Sequence, residues 1–106
     1  MLRIYSVVME VLVGVRGVVA RIGRQDPALV DQLRRAASSV ANNLSEGSYS
    51  LGGNVRARFH DALGSAAEVR ACLDTAEALG YVEPIDPMLR DKLDRVIGTL
   101  YRLAKR

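Results

Sequence analysis

Apolar residues return at spacings of three and four in four separate segments, and this recurrence restricts the chain more than any other feature. In the first segment Ile4, Val7, Val8, Val11, Leu12, Val15, Val18, Val19 and Ile22 fall on one side of a helix. Leu29, Val30, Leu33, Ala36, Ala37, Val40 and Leu44 repeat the pattern, as do Val55, Phe59, Ala62, Ala66, Val69, Leu73 and Ala76. Leu89, Leu93, Val96, Ile97, Leu100 and Leu103 complete it. No segment alternates with period two over the length of a strand, so the pattern leaves no sheet.

Punctuation between the segments fits helix ends. Gly23 closes the first. Asp26-Pro27 opens the second, because an aspartate accepts bonds from the free N–H groups of a first turn and proline suits that turn. Asp86-Pro87 repeats the signal before the fourth segment, and Gly80 closes the third. Gly47 reads as the stop of the second helix, with Gly47 to Asn54 as the longest loop and Asn54 as the cap of the third helix. Helices are therefore expected over about 4–22, 27–46, 55–79 and 87–104. The third would be about 37 Å long. Short connections favour antiparallel neighbours, so the expected fold is all-α: one up-down-up-down four-helix bundle spanning residues 1–106.

Valines lower the intrinsic helix propensity of the first segment, and Gly14 and Gly17 lower it further. That helix must be held by packing, and its glycines predict close approach of a neighbouring helix. The chain has one Phe, four Tyr and no Trp, so its core must be aliphatic and alanine-rich. A bundle this small, with few aromatics, gains stability by association, and a homo-oligomer is expected. Glu10 and Arg16 interrupt the apolar N-terminal run, so neither a signal sequence nor a membrane span is read there. A cytoplasmic location is the expectation, and the lone cysteine agrees with a reducing compartment.

Catalytic chemistry finds few residues to use. Di-iron bundles need Glu-x-x-His pairs, whereas this chain has a single histidine, His60, with Ala57 three residues before it. His60 falls opposite the apolar face and reads as a solvated side chain. Cys72 has no histidine near it in sequence and reads as a small buried hydrophobe. The glycines of residues 47–54 lack the Lys-Ser/Thr of a phosphate-binding loop and follow no strand. No cofactor, metal or catalytic residue is assigned.

Two polar stripes stand out at the edges of the apolar faces. Gln32, Ser39, Asn43 and Glu46 form one on the second helix, and Asp61, Ser65, Glu68 and Cys72 form the other on the third. Either these are solvated boundaries, or they hydrogen-bond across a helix or subunit interface and fix its register. Ser39, Asn43, Glu46, Ser65 and Glu68 are the candidate interface residues. The net charge of +3 permits nucleic-acid contact without demanding it. Arg34, Arg35, Arg56 and Arg58 are the candidate phosphate contacts. Arg56 and Arg58 sit at a helix start, where the macrodipole disfavours cations.

The stretches Arg34 to Gly47 and Ala62 to Val82 resemble a known family. Arg34, Arg35, Ala36, Ala37, Ser39, Val40, Asn43, Leu44, Glu46 and Gly47 are similar to one signature of the bacterial four-helix bundle proteins called 23S rRNA-intervening-sequence proteins. Leu63, Gly64, Ser65, Glu68, Leu79, Gly80 and Tyr81 are similar to the second. The resemblance implies a small cytosolic bundle, a homo-oligomer with a pentamer as its form, and no enzymatic activity. It also implies kinship with accessory proteins of diversity-generating retroelements, which form a basic barrel and assist a reverse transcriptase. Tyr49, Ser50 and Leu51 stand where family members often carry arginine, which points that tip toward protein. The leading expectation is a non-enzymatic, homo-oligomeric interaction module serving an RNA or nucleoprotein partner. The alternative is a sequence-nonspecific nucleic-acid binder that gathers its arginines into a symmetric surface.

Overall fold

The computed structural model describes residues 2–49 and 54–105. Helix α1 spans Ile4–Ile22, α2 Pro27–Tyr49, α3 Asn54–Ala78 and α4 Pro87–Lys105, with a short 3-10 turn at Gly23–Gln25. Each helix packs on its neighbours in the order α1–α2–α3–α4 and α4 returns to α1, so α1 and α3 lie across the diagonal. This is the antiparallel bundle that the periodicity predicts.

The end signals work by the chemistry expected of them. Asp26 Oδ1 accepts the Leu29 N–H at 2.9 Å, and Asp86 Oδ1 accepts the Met88 N–H at 2.9 Å. Gly80 adopts φ +75°, which lets the Tyr81 N–H reach back to the Ala76 carbonyl at 2.9 Å and close α3. Leu79 lies just past the end of α3 rather than inside it.

The second helix departs from expectation at Gly47, which is not a stop. α2 continues to Tyr49 and Gly47 is buried within it. A Cβ at this position would sit 2.7 Å from Phe59 Cε1, so the glycine makes room for the ring instead of ending the helix. Asn54 is the first residue of α3, and the expected loop of 47–54 shrinks at both ends. Ser50 and Leu51, the rest of the expected tip, lie outside the described residues. On α1 the expectation holds for one glycine of two. A Cβ on Gly14 would lie 2.7 Å from Leu89 of α4, whereas one on Gly17 would meet nothing within 4 Å.

The core follows the four stripes. Val8, Ile22, Leu33, Leu44, Val69, Leu73, Leu93, Val96 and Leu100 are its largest fully buried side chains. Burying each contributes about 1.5–3 kcal/mol. All the buried alanines among the described residues come from two helices: Ala36, Ala37 and Ala41 of α2, and Ala62, Ala66 and Ala76 of α3. These two helices make the most extensive contact of any pair. Small side chains let their backbones approach closely, and that closeness brings the polar stripes within hydrogen-bonding reach.

Candidate interaction groove between the second and third helices

The two polar stripes meet along the outer edge of the alanine seam. Ser39 Oγ and Ser65 Oγ are 2.7 Å apart, and either can donate. Asn43 Nδ2 donates to both the carbonyl and the hydroxyl oxygen of Ser39, each at 3.0 Å. Two turns further along α2, Glu46 meets Arg58 of α3 at 3.2 Å, two turns back from Ser65. These pairs fix the antiparallel register. Ser39 with Ser65, and Glu46 with Arg58, therefore bridge two helices of the same chain.

Outside this row the surface is concave. Ser39, Asn43, His60, Asp61, Gly64, Ser65 and Glu68 line an open groove of about 620 Å³. A second hollow of about 440 Å³ adjoins it through Ser39 and Asn43 and reaches Arg34, Arg35 and Glu46. His60 is exposed, as the sequence predicts, and forms part of the groove wall. Asp61 and Glu68 are exposed, and neither has an ion-pair partner among the described residues. Gln32 is exposed on α2. Cys72 is buried, and burial first, then the nearby Glu68, pushes its thiol above the ordinary value. A thiol so held stays protonated and is a poor nucleophile. No cluster of three or more potential metal ligands occurs among the described residues.

Of the four candidate arginines, Arg34 and Arg35 line the second hollow with Glu46, the partner of Arg58. Arg35 pairs with Asp31 at 3.0 Å and Arg58 with Glu46. Arg34 lies twelve residues before Glu46 on α2, about 18 Å along the axis. Arg56 is exposed at the start of α3.

Sequence reasoning missed a different polar cluster, at the α3–α4 corner. Glu77 Oε1 accepts the Ile85 N–H at 2.7 Å and an Arg90 N–H at 3.0 Å. Arg90 also reaches Asp74 at 2.8 Å. The Ile85 N–H, and after it Arg90, hold the Glu77 carboxyl below its ordinary value. The Tyr81 hydroxyl donates to Asp26 Oδ2 at 3.1 Å, and Gln25 Nε2 donates to the Tyr81 carbonyl at 3.1 Å. This knot ties the α3–α4 connection to the start of α2 and carries Ile85 into the core. Its partners come from distant segments, so only the Asp-Pro signal was visible in sequence.

With this architecture in place, the family model of the 23S rRNA-intervening sequence proteins matches residues 2–102. The chain belongs to the 23S rRNA-intervening sequence protein family. The match takes in all of α1 to α3 and most of α4, and both signature stretches lie within it. In this family member the Ser39–Ser65 hydrogen bond and the Glu46–Arg58 pair tie α2 to α3, and Asn43 supports Ser39 from within α2. No curated protein matches the chain. No helix among the described residues is long and apolar enough to cross a membrane.

Proposed function

We propose that this protein is a non-enzymatic module that self-associates and serves an RNA or nucleoprotein partner in the cytoplasm. The observation that carries self-association is the outer side of α1. Val13 is 57% exposed there, and Tyr5 and Met9 are only partly covered. Only Glu10, Arg16 and Arg21 carry charge along the whole helix. Val13, Tyr5 and Met9 leave an apolar strip among the exposed Glu10, Arg16 and Arg21, and a second subunit would cover it. The family's name supports the RNA half of the reading, and the resemblance implies a pentamer.

Light scattering at tens of micromolar protein tests the assembly. A mass several times the 11.5 kDa chain is expected, and 11.5 kDa would refute it. The alternative, direct phosphate contact by Arg34, Arg35, Arg56 and Arg58, has less support, since Arg35 and Arg58 already hold carboxylates. Filter binding of structured RNA and duplex DNA across salt separates the two readings. Affinity that falls steeply with salt and is lost in Arg56→Glu/Arg58→Glu would favour the alternative.

A further inference from the structure

The carboxylates carried by α1 and α2 are all engaged. Glu10 meets Lys92 of α4 at 3.6 Å, Asp31 meets Arg35 at 3.0 Å and Glu46 meets Arg58 at 3.2 Å. Arg16 of α1 and Arg34 of α2 are exposed, and neither has an ion pair among the described residues. No acidic residue stands one helical turn from Arg16, and the one so placed from Arg34 is Asp31, already held by Arg35.

These two arginines flank one crevice of about 270 Å³ between α1 and α2. Val15, Val19 and Ala37 are buried and form its floor with the half-buried Leu12. Arg16, Arg34 and Ser38 are exposed and form its rim. The floor side chains carry no donor or acceptor. The rim carries two guanidiniums, a hydroxyl and, among the described residues, no carboxylate. Two like charges beside one opening repel each other, while the aliphatic stem of an arginine extends the apolar wall beneath its head.

Each part of this arrangement excludes a class of ligand. A bare phosphate or sulfate would use the rim and leave the floor uncovered. A nucleobase would set its polar edges against walls with nothing to bond them. An uncharged hydrocarbon would leave both guanidiniums without an anion. An apolar body with one anionic head satisfies floor and rim together, and the planar fork of arginine matches a carboxylate. The volume falls just short of the about 300–1,000 Å³ of sites for drug-sized ligands, so the body is short.

We propose that the α1–α2 crevice is a binding site for a small apolar carboxylate, an aliphatic acid of medium chain length. Its chain lies on Leu12, Val15, Val19 and Ala37, and its carboxylate pairs with Arg16 and Arg34. The crevice shares no lining residue with the groove between α2 and α3, so the site stands apart from the RNA and self-association readings.

Titration of the full chain with octanoate, below its micelle concentration and followed by calorimetry and methyl NMR, tests it. One octanoate per chain is expected, with shifts concentrated on the methyls of Leu12, Val15, Val19 and Ala37. Arg16→Gln and Arg34→Gln should each weaken binding about tenfold, the usual worth of a hydrogen bond to a charged group. Ser38→Phe should block the site by filling its rim. All three positions are exposed, and helix content and melting check that each variant folds. Octanol, which lacks the charged head, and acetate, which lacks the body, should both bind far more weakly. Acetate or inorganic phosphate that competes as well as octanoate would overturn the proposal in favour of a bare-anion site, such as an RNA backbone would use. Octanoate binding that survives these substitutions, or shifts spread over the rest of the bundle, would overturn it as well. So would a lack of binding, the result expected if a second copy of the chain already fills the crevice.

Discussion

The corner at α3–α4 and the groove between α2 and α3 are both polar clusters on one small bundle, but they spend their hydrogen-bonding capacity differently. At the corner, Glu77, Arg90, Tyr81 and Asp26 all turn toward each other or toward backbone. In the groove, Ser39, Asn43 and Ser65 are satisfied within the chain, while Asp61 and Glu68 are exposed without ion partners among the described residues. A cluster closed on itself holds a fold together. A cluster whose outer members remain open offers something to another molecule.

The largest effect should come from the seam beneath the groove. Ala66 is fully buried between α2 and the rest of the core. Ala66→Leu should cost about 1–3 kcal/mol by overpacking, read as a lower midpoint in urea. An unchanged midpoint would mean that the helices are not held as closely as their alanines indicate. Next, Arg90→Met removes the common partner of Asp74 and Glu77 and should lower the melting temperature by several degrees while leaving the mass of the assembly unchanged. Loss of assembly without loss of stability would erase the distinction between the clusters.

Acid should expose the same corner. The Glu77 carboxyl is held below its ordinary value in the folded chain, so its contribution is present above the unfolded value and is lost as pH falls through the folded one. Melting temperature should therefore drop more steeply with acid in the wild type than in Glu77→Gln, and parallel curves would contradict this. In the groove, Glu68→Leu should alter the mass of the assembly more than it alters helix content. If hydrogen-exchange protection and mass are both unchanged, the outward carboxylate is merely solvated. The smallest effect belongs to Arg35→Gln. Its pair with Asp31 is well exposed, so a stability change within about 1 kcal/mol is expected.

What the sequence made legible tracks the range of each interaction. The four apolar stripes and the Asp-Pro starts are local, and α1 is found with the limits expected of it. The groove was legible as two stripes, because helical period alone places Ser39, Asn43 and Ser65 at the edge of a core. Their partnership was not, since it depends on the register of α2 against α3. Gly47 shows the same limit from the other side. Within its own segment it looks like a terminator, and only Phe59, twelve residues on, reveals it as a space. The knot around Tyr81 and Ile85 joins segments more than fifty residues apart, and no local signal announces it.

Gly47 and Phe59 divide one fixed volume between two positions. Neither residue is required for itself, because the quantity that packing constrains is their combined bulk. A methyl group gained at position 47 must be surrendered at position 59, for instance by Phe59→Leu, and the doubly changed chain should recover stability that Gly47→Ala alone loses. Among diverging members of the family, these two positions are then expected to drift as a correlated pair, and a lineage with alanine at the first is expected to carry a smaller side chain at the second.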